Sequence, residues 1–438
     1  MKKLIVLTSV ALLASQANAA DLNQIYQQAL ANDAELTAAK AQRDADEYQV
    51  TLARAALLPQ VSVGYTHTEN DIETELIPGF TTETDYTTKT NNLNATVSQT
   101  LFNLTSWYNY QAASAGGEIA GLQYTLAEQQ LILRTAEAYF NVLRAKENLE
   151  TAQAEEKAVK RQLEQTRQRY EVGLIAITEV HEAEASYDLA YANLIGQEAA
   201  LDISYESLEQ ITGQRFDKLD ELKTDIAFAA PEKAVDEWVA AGLDKYAGVK
   251  VAEEGLKSAE YSRKAGWSRY APTVNAQWQY NDGSQAARES LTTDVTSQTL
   301  VLSASVSLFA GGSNYAQAKQ AAAQSAQAGA NLDLQRRTVR NNIRSLYRRV
   351  QTDVLTIKAR KRATISSQSA LEATETGYQV GTRNIVEVLA AQRNLYSAQR
   401  DYANARYDYI LNLLNLKFFS GALSEADLQA LNEWLDKA

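Results

Sequence analysis

The stretch Tyr170-Glu171-Val172-Gly173-Leu174-Ile175-Ala176-Ile177-Thr178-Glu179-Val180 is answered later by Tyr378-Gln379-Val380-Gly381-Thr382-Arg383-Asn384-Ile385-Val386-Glu387-Val388. Tyr, Val, Gly, Ile, Glu and Val return in the same order, at a constant shift of about 208 residues. The shift holds outward from there. Tyr139 falls on Tyr347 and Thr212-Gly213 on Ser420-Gly421, while Leu101-Phe102 lies one residue off register from Leu308-Phe309. Further upstream, Pro59-Gln60-Val61 matches Pro272-Thr273-Val274 at a shift of about 213. The chain is a duplication, and one unit of such a repeat seldom buries its apolar face alone.

Each copy follows one plan. In the first, an Ala-rich helical pattern from Asp21 to Leu57 is unbroken by Gly or Pro and ends before Pro59, since proline disfavours helix in the residue before it. Alternation begins at once. Val61, Val63 and Tyr65 are set against Ser62, Gly64 and Thr66, and after a Thr-rich loop with Pro78-Gly79, Leu93, Ala95, Val97 and Leu101 are set against Asn92, Asn94, Thr96, Ser98 and Thr100. A period of two is the mark of a strand with two unlike faces.

A proline-free run from about Leu104 to Val172 then predicts one helix, roughly 105 Å long at 1.5 Å per residue. Its apolar positions Leu126, Leu133, Ala136, Phe140 and Leu143 form one heptad seam, and Ile132, Tyr139, Val142, Lys146 and Leu149 form another. Two adjacent seams call for more than one neighbouring helix. Gly173 breaks this helix, and a returning helix runs from Ile177 to Thr212, where Gly213 stops it.

The second copy repeats the order after an irregular linker. Its strands lie at Val274, Ala276, Trp278, Tyr280 and at Leu300, Leu302, Ala304, Val306, Leu308. A long helix to Val380 follows Gly311-Gly312, and a last helix runs from Ile385 to Ser420. The expected organisation is a signal peptide at 1–19, a first repeat at 20–213 with a β hairpin at 60–102, a linker at 214–231, a second repeat at 232–421 with a hairpin at 273–309, and a tail at 422–438. Ser424 and Asp427 are spaced to cap a short helix in that tail.

The N-terminus reads as an export signal. Lys2-Lys3 precede a ten-residue apolar core from Leu4 to Leu13, and Ala17-Asn18-Ala19 supplies a small-residue cleavage pattern. That core is too short to span a bilayer, which takes about 20 apolar residues. There is no cysteine, which excludes disulfides, thiolate metal sites and a lipidated N-terminal Cys. A net charge of −12 argues against a nucleic-acid partner. The basic run Arg336, Arg337, Arg340, Arg344, Arg348, Arg349 lies among acids on a helix and reads as a solvated, salt-bridged face. The only histidines, His67 and His181, do not correspond between copies, and no phosphate loop, zinc-protease motif or nucleophile elbow is present. Neither an enzyme nor a cofactor or metal is expected.

Four strands with one apolar and one Ser/Thr/Asn/Gln face match transmembrane barrel strands of about 9–11 residues. An open sheet edge in lipid is prohibitive, because each unpaired backbone group costs several kcal/mol. Four strands cannot close a barrel, for which about eight is the practical minimum. The chain is therefore expected to pool strands with copies of itself under cyclic symmetry, twelve strands from a homotrimer being the smallest solution with a lumen. The long polar helices then project as a coiled-coil tunnel on the side from which the chain was exported. A soluble β-sandwich with a stalk is the plainer alternative.

The order helix, hairpin, long helix, helix, given twice, resembles the TolC family of outer-membrane channel-tunnels over essentially the whole mature chain. The most specific pieces are Gly377 to Leu389, Val172 to Thr178, Tyr139-Phe140-Asn141-Val142-Leu143 and Ala403-Asn404-Ala405-Arg406-Tyr407. The resemblance implies a trimer with a twelve-stranded barrel in outer-membrane lipid and a helical tunnel in the periplasm. It implies a passive exit duct for drug efflux and type I protein secretion, opened at its periplasmic tip. Its partners would be a periplasmic adaptor (membrane fusion) protein and an inner-membrane efflux or ABC transporter. A periplasmic coiled-coil adaptor or structural stalk protein is the alternative, although an adaptor would lack the four barrel-type strands.

The same resemblance singles out five residues. Glu387 matches an acid lining the entrance, so a trimer would carry a ring of three. Tyr378 and Arg383 match residues that link to a Thr-acid pair, here Thr178 and Glu179, and so keep the entrance shut. Plainer readings stand beside these. A first-turn Glu favours the helix macrodipole wherever it faces water, and Tyr378 repeats Tyr170 as ordinary packing would. One turn beyond Glu387, where the family commonly has a second acid, this chain has Ala390, which implies weaker cation binding at the entrance.

Overall fold

The computed structural model describes residues 20–72, 86–216, 218–288 and 291–436. The signal segment at 1–19 and the loop around Pro78-Gly79 lie outside the described residues. In chain order the elements are α1 (Leu22–Asn32), α2 (Ala34–Ala55), β1 (Gln60–Ile72), β2 (Tyr86–Asn103), α3 (Leu104–Glu171), α4 (Ile177–Thr212) and β3 (Glu221–Leu222). They continue as α5 (Val235–Lys245), α6 (Ala247–Ser268), β4 (Thr273–Arg288), β5 (Leu291–Ser305), α7 (Ser313–Gln379), α8 (Ile385–Phe419), α9 (Glu425–Asn432) and β6 (Leu435–Asp436). The duplication shows in the lengths. α3 and α7 have 68 and 67 residues, α4 and α8 have 36 and 35, and α2 and α6 have 22 each.

Three expectations need correction. The first helix is broken in two, because the Asp33 side chain accepts the Leu36 N–H at 2.6 Å while its own N–H reaches Ala29 O at 2.8 Å. Asp33 thereby ends one helix and caps the next, and Arg134 holds its carboxylate at 3.1 Å. The second hairpin ends at Ser305, not Phe309, and Leu308 and Phe309 are both 85% exposed beyond it. The linker is not wholly irregular: β3 pairs antiparallel with β6, and Ala20 bridges to Leu219, so the linker meets both Ala20, just before α1, and the C-terminal tail.

The chain forms two compact units. One comprises residues 1–40, 124–249 and 336–438, the other residues 41–123 and 250–335. Among the described residues, the regular structure of the first unit is helical apart from the β3–β6 pair and the Ala20–Leu219 bridge. Both heptad seams of α3 are sunk in it, with Leu133, Ala136, Tyr139, Phe140, Val142 and Leu143 all buried. Phe140 meets Tyr407 of α8 at 6.5 Å between ring centres. Arg406 and Tyr407 both donate to Glu147, at 3.2 and 2.9 Å, and Arg406 also donates to Lys223 O at 2.8 Å. A buried guanidinium is tolerable only when paired and hydrogen-bonded in this way. The tail helix α9 starts as its sequence requires, with Ser424 N donating to Asp427 Oδ2 at 2.8 Å.

The second unit carries one antiparallel sheet in the order β1-β2-β4-β5, which leaves β1 and β5 at its edges. Partners across antiparallel strands share a face, so the register reads out each face in rows. One row is Val61, Val97, Trp278, Leu300, and the adjacent row is Ser62, Thr96, Gln279, Thr299. The next two are Val63, Ala95, Tyr280, Gln298 and Gly64, Asn94, Asn281, Ser297. One face is thus mainly apolar and the other uncharged and polar. Glycine suits its place in the second of these rows, because a Cβ on Gly64 would lie 2.5 Å from Asn94 Oδ1.

Candidate functional site

The repeated stretches build two helix–turn–helix corners in the first unit. In each, glycine takes the left-handed conformation that ends the incoming helix, with φ +75° at Gly173 and +78° at Gly381. The closing hydrogen bonds also repeat. Gly173 N and Leu174 N donate to Tyr170 O and Arg169 O at 2.8 and 2.9 Å, while Gly381 N and Thr382 N donate to Tyr378 O and Gly377 O at 3.2 and 2.8 Å. The outgoing helices start differently. Asn384 caps α8 through its Oδ1, which accepts from Glu387 N at 3.0 Å, whereas α4 begins at Ala176 without a side-chain cap.

Under the corners lies a core drawn from four helices. Val159 and Leu163 of α3, Ala183 and Ala190 of α4, and Ile385, Val388 and Leu389 of α8 form one apolar cluster, and Tyr378 at the end of α7 packs against it. The two turns therefore sit at the same end of this unit. Tyr378 is half-buried, with the Arg169 guanidinium 4.8 Å from its ring centre. Its sequence equivalent Tyr170 is 43% exposed, so the duplication places one tyrosine against the core and leaves the other at the surface.

Within the chain, Arg383 donates to Glu387 at 2.5 Å, four residues on and on the same side of α8. Thr178 is exposed and Glu179 half-exposed. Among the described residues, neither makes a side-chain hydrogen bond to Tyr378 or Arg383. The single chain thus brings Arg383 and Glu387 together and leaves Thr178 and Glu179 facing outward. Close by on α4, Glu184 takes hydrogen bonds from Arg167 at 2.7 Å and His181 at 3.1 Å. The Arg167 bond, then the His181 bond, hold its carboxyl below the usual range.

A cleft of about 780 Å³ opens between the ends of α3 and α7 over α8, lined by Arg161, Gln162, Arg169, Glu375, Tyr378 and Gln392. Gln162 and Gln392 are nearly buried, and Gln162 Nε2, Gln392 Oε1 and Tyr378 Oη have no hydrogen-bond partner among the described residues. Sequence reasoning passed over Asn384, although an Asn directly before an apolar-periodic helix is a recognisable cap signal. It also passed over Arg169, for which no local signal exists, since its role depends on contact with another helix.

The sheet is the other functional surface. Val61, Val63, Tyr65, Leu300 and Leu302 are 68–75% exposed in the chain, all on its apolar face. A contiguous exposed apolar face of this kind marks a membrane or partner surface. Toward the hairpin ends the partners turn polar and charged: His67 Nδ1 lies 2.6 Å from Asn91 Oδ1, and Lys89 pairs with Glu69 at 2.9 Å. Among the described residues, no helix is long and apolar enough to cross a membrane. Nor does any cluster of His, Cys, Asp and Glu suit a metal ion among them.

Known proteins share this arrangement. A family model described as outer membrane efflux protein matches residues 25–214 and 244–422. Outer membrane protein TolC of Vibrio cholerae serotype O1 is 37% identical over 447 residues, covering 100% of both chains. TolC of Escherichia coli K12 is 34% identical over 451 residues, covering 100% of this chain and 90% of that one. The crystal structure of outer membrane protein VceC from Vibrio cholerae matches with a TM-score of 0.78 at 20% identity, over 91% of this chain and 96% of that chain. At that identity the likeness is one of fold.

Proposed function

Since the chain belongs to the outer membrane efflux protein family, we propose that three copies pool their sheets into one twelve-stranded barrel in outer-membrane lipid. The chain is a TolC-like outer-membrane efflux and protein-secretion channel, not an enzyme. Membership in this family sets aside the adaptor and stalk alternatives. The observation that carries the trimer is the four-strand register. Its apolar row Val61, Val97, Trp278, Leu300 lies one step from the polar row Ser62, Thr96, Gln279, Thr299, and both sheet edges end in strands that need partners. Lipid satisfies the first row and a water-filled lumen the second, and only closure on further copies satisfies the edges.

The two matched segments support reading the mature chain as repeats at 20–213 and 232–421, joined by 214–231 and following a cleaved signal at 1–19. The helices α3, α4, α7 and α8 form the periplasmic tunnel, and the paired Gly173 and Gly381 corners form its entrance. Glu387 lines that entrance. Tyr378 and Arg383 of one turn, with Thr178 and Glu179 of the other, hold it shut through contacts completed between copies. Docking of a periplasmic adaptor and an inner-membrane transporter breaks those contacts, and substrates then pass without chemistry.

Planar-bilayer recording tests both levels. The full-length protein is expected to conduct ions as a three-chain species, and a water-soluble monomer with no bilayer affinity would overturn the barrel. Tyr378→Phe combined with Arg383→Ser is expected to raise single-channel conductance. Unchanged conductance would remove these residues from the gate and leave the channel standing.

A further inference from the structure

Beyond β3 the linker is tied at two points to the C-terminal part of the chain. Lys223 N donates to Trp434 O at 2.9 Å, and Lys223 O accepts from Arg406 of α8 at 2.8 Å. Further on, Ala229 O accepts from the Tyr409 hydroxyl at 2.7 Å, and Phe228 meets the Tyr409 ring edge-on, 5.1 Å between centres. Between these ties a cleft of about 440 Å³ opens between the linker and α7. Small-molecule sites span roughly 300–1,000 Å³, and this cleft falls among them.

The cleft has an apolar floor and a cationic rim. Val354 and Ile357 of α7 are buried in it, and Ile226 and Phe228 of the linker are half-buried against it. Lys358 and Lys361 line the same cleft and are both exposed. Three residues apart, they are neighbours on one helix face. Arg360 between them is paired with Asp401 at 2.6 Å, whereas neither lysine makes an ion pair among the described residues. Tyr402 of α8 is half-buried beside them, and its hydroxyl makes no hydrogen bond among the described residues. Asp225, the carboxylate that lines the cleft, is exposed and is paired with neither lysine. Two uncommitted ammonium groups over an apolar floor complement an amphiphilic anion. Its carboxylate would gain charge-assisted hydrogen bonds, and its body would bury apolar area. The rings of Phe228 and Tyr402 favour a flat aromatic body.

We propose that this cleft binds a small aromatic carboxylate, with the ring on Ile226, Phe228 and Ile357 and the carboxylate on Lys358 and Lys361. The site is separate from the Gly381 corner, since Lys361 stands 18 residues before the end of α7 at Gln379, about 27 Å along the helix. All of its walls come from one chain, so the site does not rest on the trimer proposed above. Bound there, the ligand would bridge the linker to α7 and stabilise the chain against unfolding.

Equilibrium dialysis of the full-length protein in an uncharged detergent against 1-naphthoate tests the site, with protein-free micelles dialysed alongside. Saturable uptake beyond that of the micelles is expected, with a single site per chain. Lys358→Ala combined with Lys361→Ala should weaken it about tenfold or more, as loss of charge-assisted contacts implies. Uncharged 1-naphthylmethanol, which keeps the ring and lacks the carboxylate, should bind weaker by a similar factor, about tenfold. Asp225→Asn removes the competing charge and is expected to tighten naphthoate binding. No saturable uptake, equal affinity for the alcohol, or undiminished affinity in the lysine variant would each overturn the site. Thermal unfolding of the variants without ligand checks that they are folded. Were the lysine variant unfolded, Asp225→Asn would decide instead, and failure to tighten binding would overturn the site. Any of these failures leaves the proposed barrel standing, since bilayer recording tests it separately.

Discussion

At Asp353, burial raises the carboxyl pKa above its ordinary range, and Asp408 adds to this, although Asn412 donates to it at 2.8 Å and Arg349 pulls the other way. An acid whose folded pKa is raised binds its proton more tightly folded than unfolded. Stability therefore declines as pH rises from the ordinary carboxyl range through the folded pKa. Asp353→Asn keeps an acceptor for Asn412 and removes the charge. It is expected to raise the thermal unfolding temperature at neutral pH, with the gain vanishing below about pH 4, where the unfolded carboxyl is protonated too. A lower unfolding temperature at neutral pH would mean that Arg349 outweighs burial. The residue scale is also where the sequence is least explicit. Tyr170 and Tyr378 are equivalent by repeat, yet only Tyr378 packs on the core beneath Arg169. Position within a motif does not say what lies opposite.

Among the elements, the strands were legible apart from the end of β5, and the breaks between α1 and α2 and between α5 and α6 were not. Alternation from Val61 and from Leu93 shows in the chain itself, because side chains on a pleated strand must point to opposite faces. No Gly or Pro marks the break at Asp33; its one local signal is the Asp itself, a favoured cap residue, and the hydrogen bond it accepts from Leu36 N–H shows only in the structure. Pairing between β2 and β4 was beyond local pattern as well, since it joins the two repeats. That register makes the faces testable. Leu300→Arg, on the apolar face, is expected to cost about 2–4 kcal/mol of membrane stability if it lies near the bilayer midplane. Thr299→Arg, one residue away on the polar face, should leave assembly intact and shift ion selectivity. Measurement of refolding into lipid vesicles, with conductance selectivity alongside, checks both. Equal losses of stability would contradict the two-faced sheet.

For the whole molecule, the entrance proposed at the Gly173 and Gly381 corners should carry one acidic ring, at Glu387, with Ala390 a turn beyond it. Ala390→Asp would add a second ring of three carboxylates on a face already exposed in the chain. It is expected to lower the concentration of trivalent cation that blocks conductance from the periplasmic side. An unchanged blocking concentration would place Ala390 away from the passage. By itself, the sequence determined the duplication, the four two-faced strands, the long paired helices and the glycine corners. These are set by periodicity, by the φ that only glycine adopts cheaply and by the length of apolar runs, all of which are local. Tertiary structure alone decided the order β1-β2-β4-β5, the pairing of the linker with the C-terminal tail, the Glu147–Arg406 tie beside the packed rings of Phe140 and Tyr407, and which faces of α4 and α7 remain open. Those features arise where segments far apart in the chain compete for the same neighbours, and no local pattern records the winner.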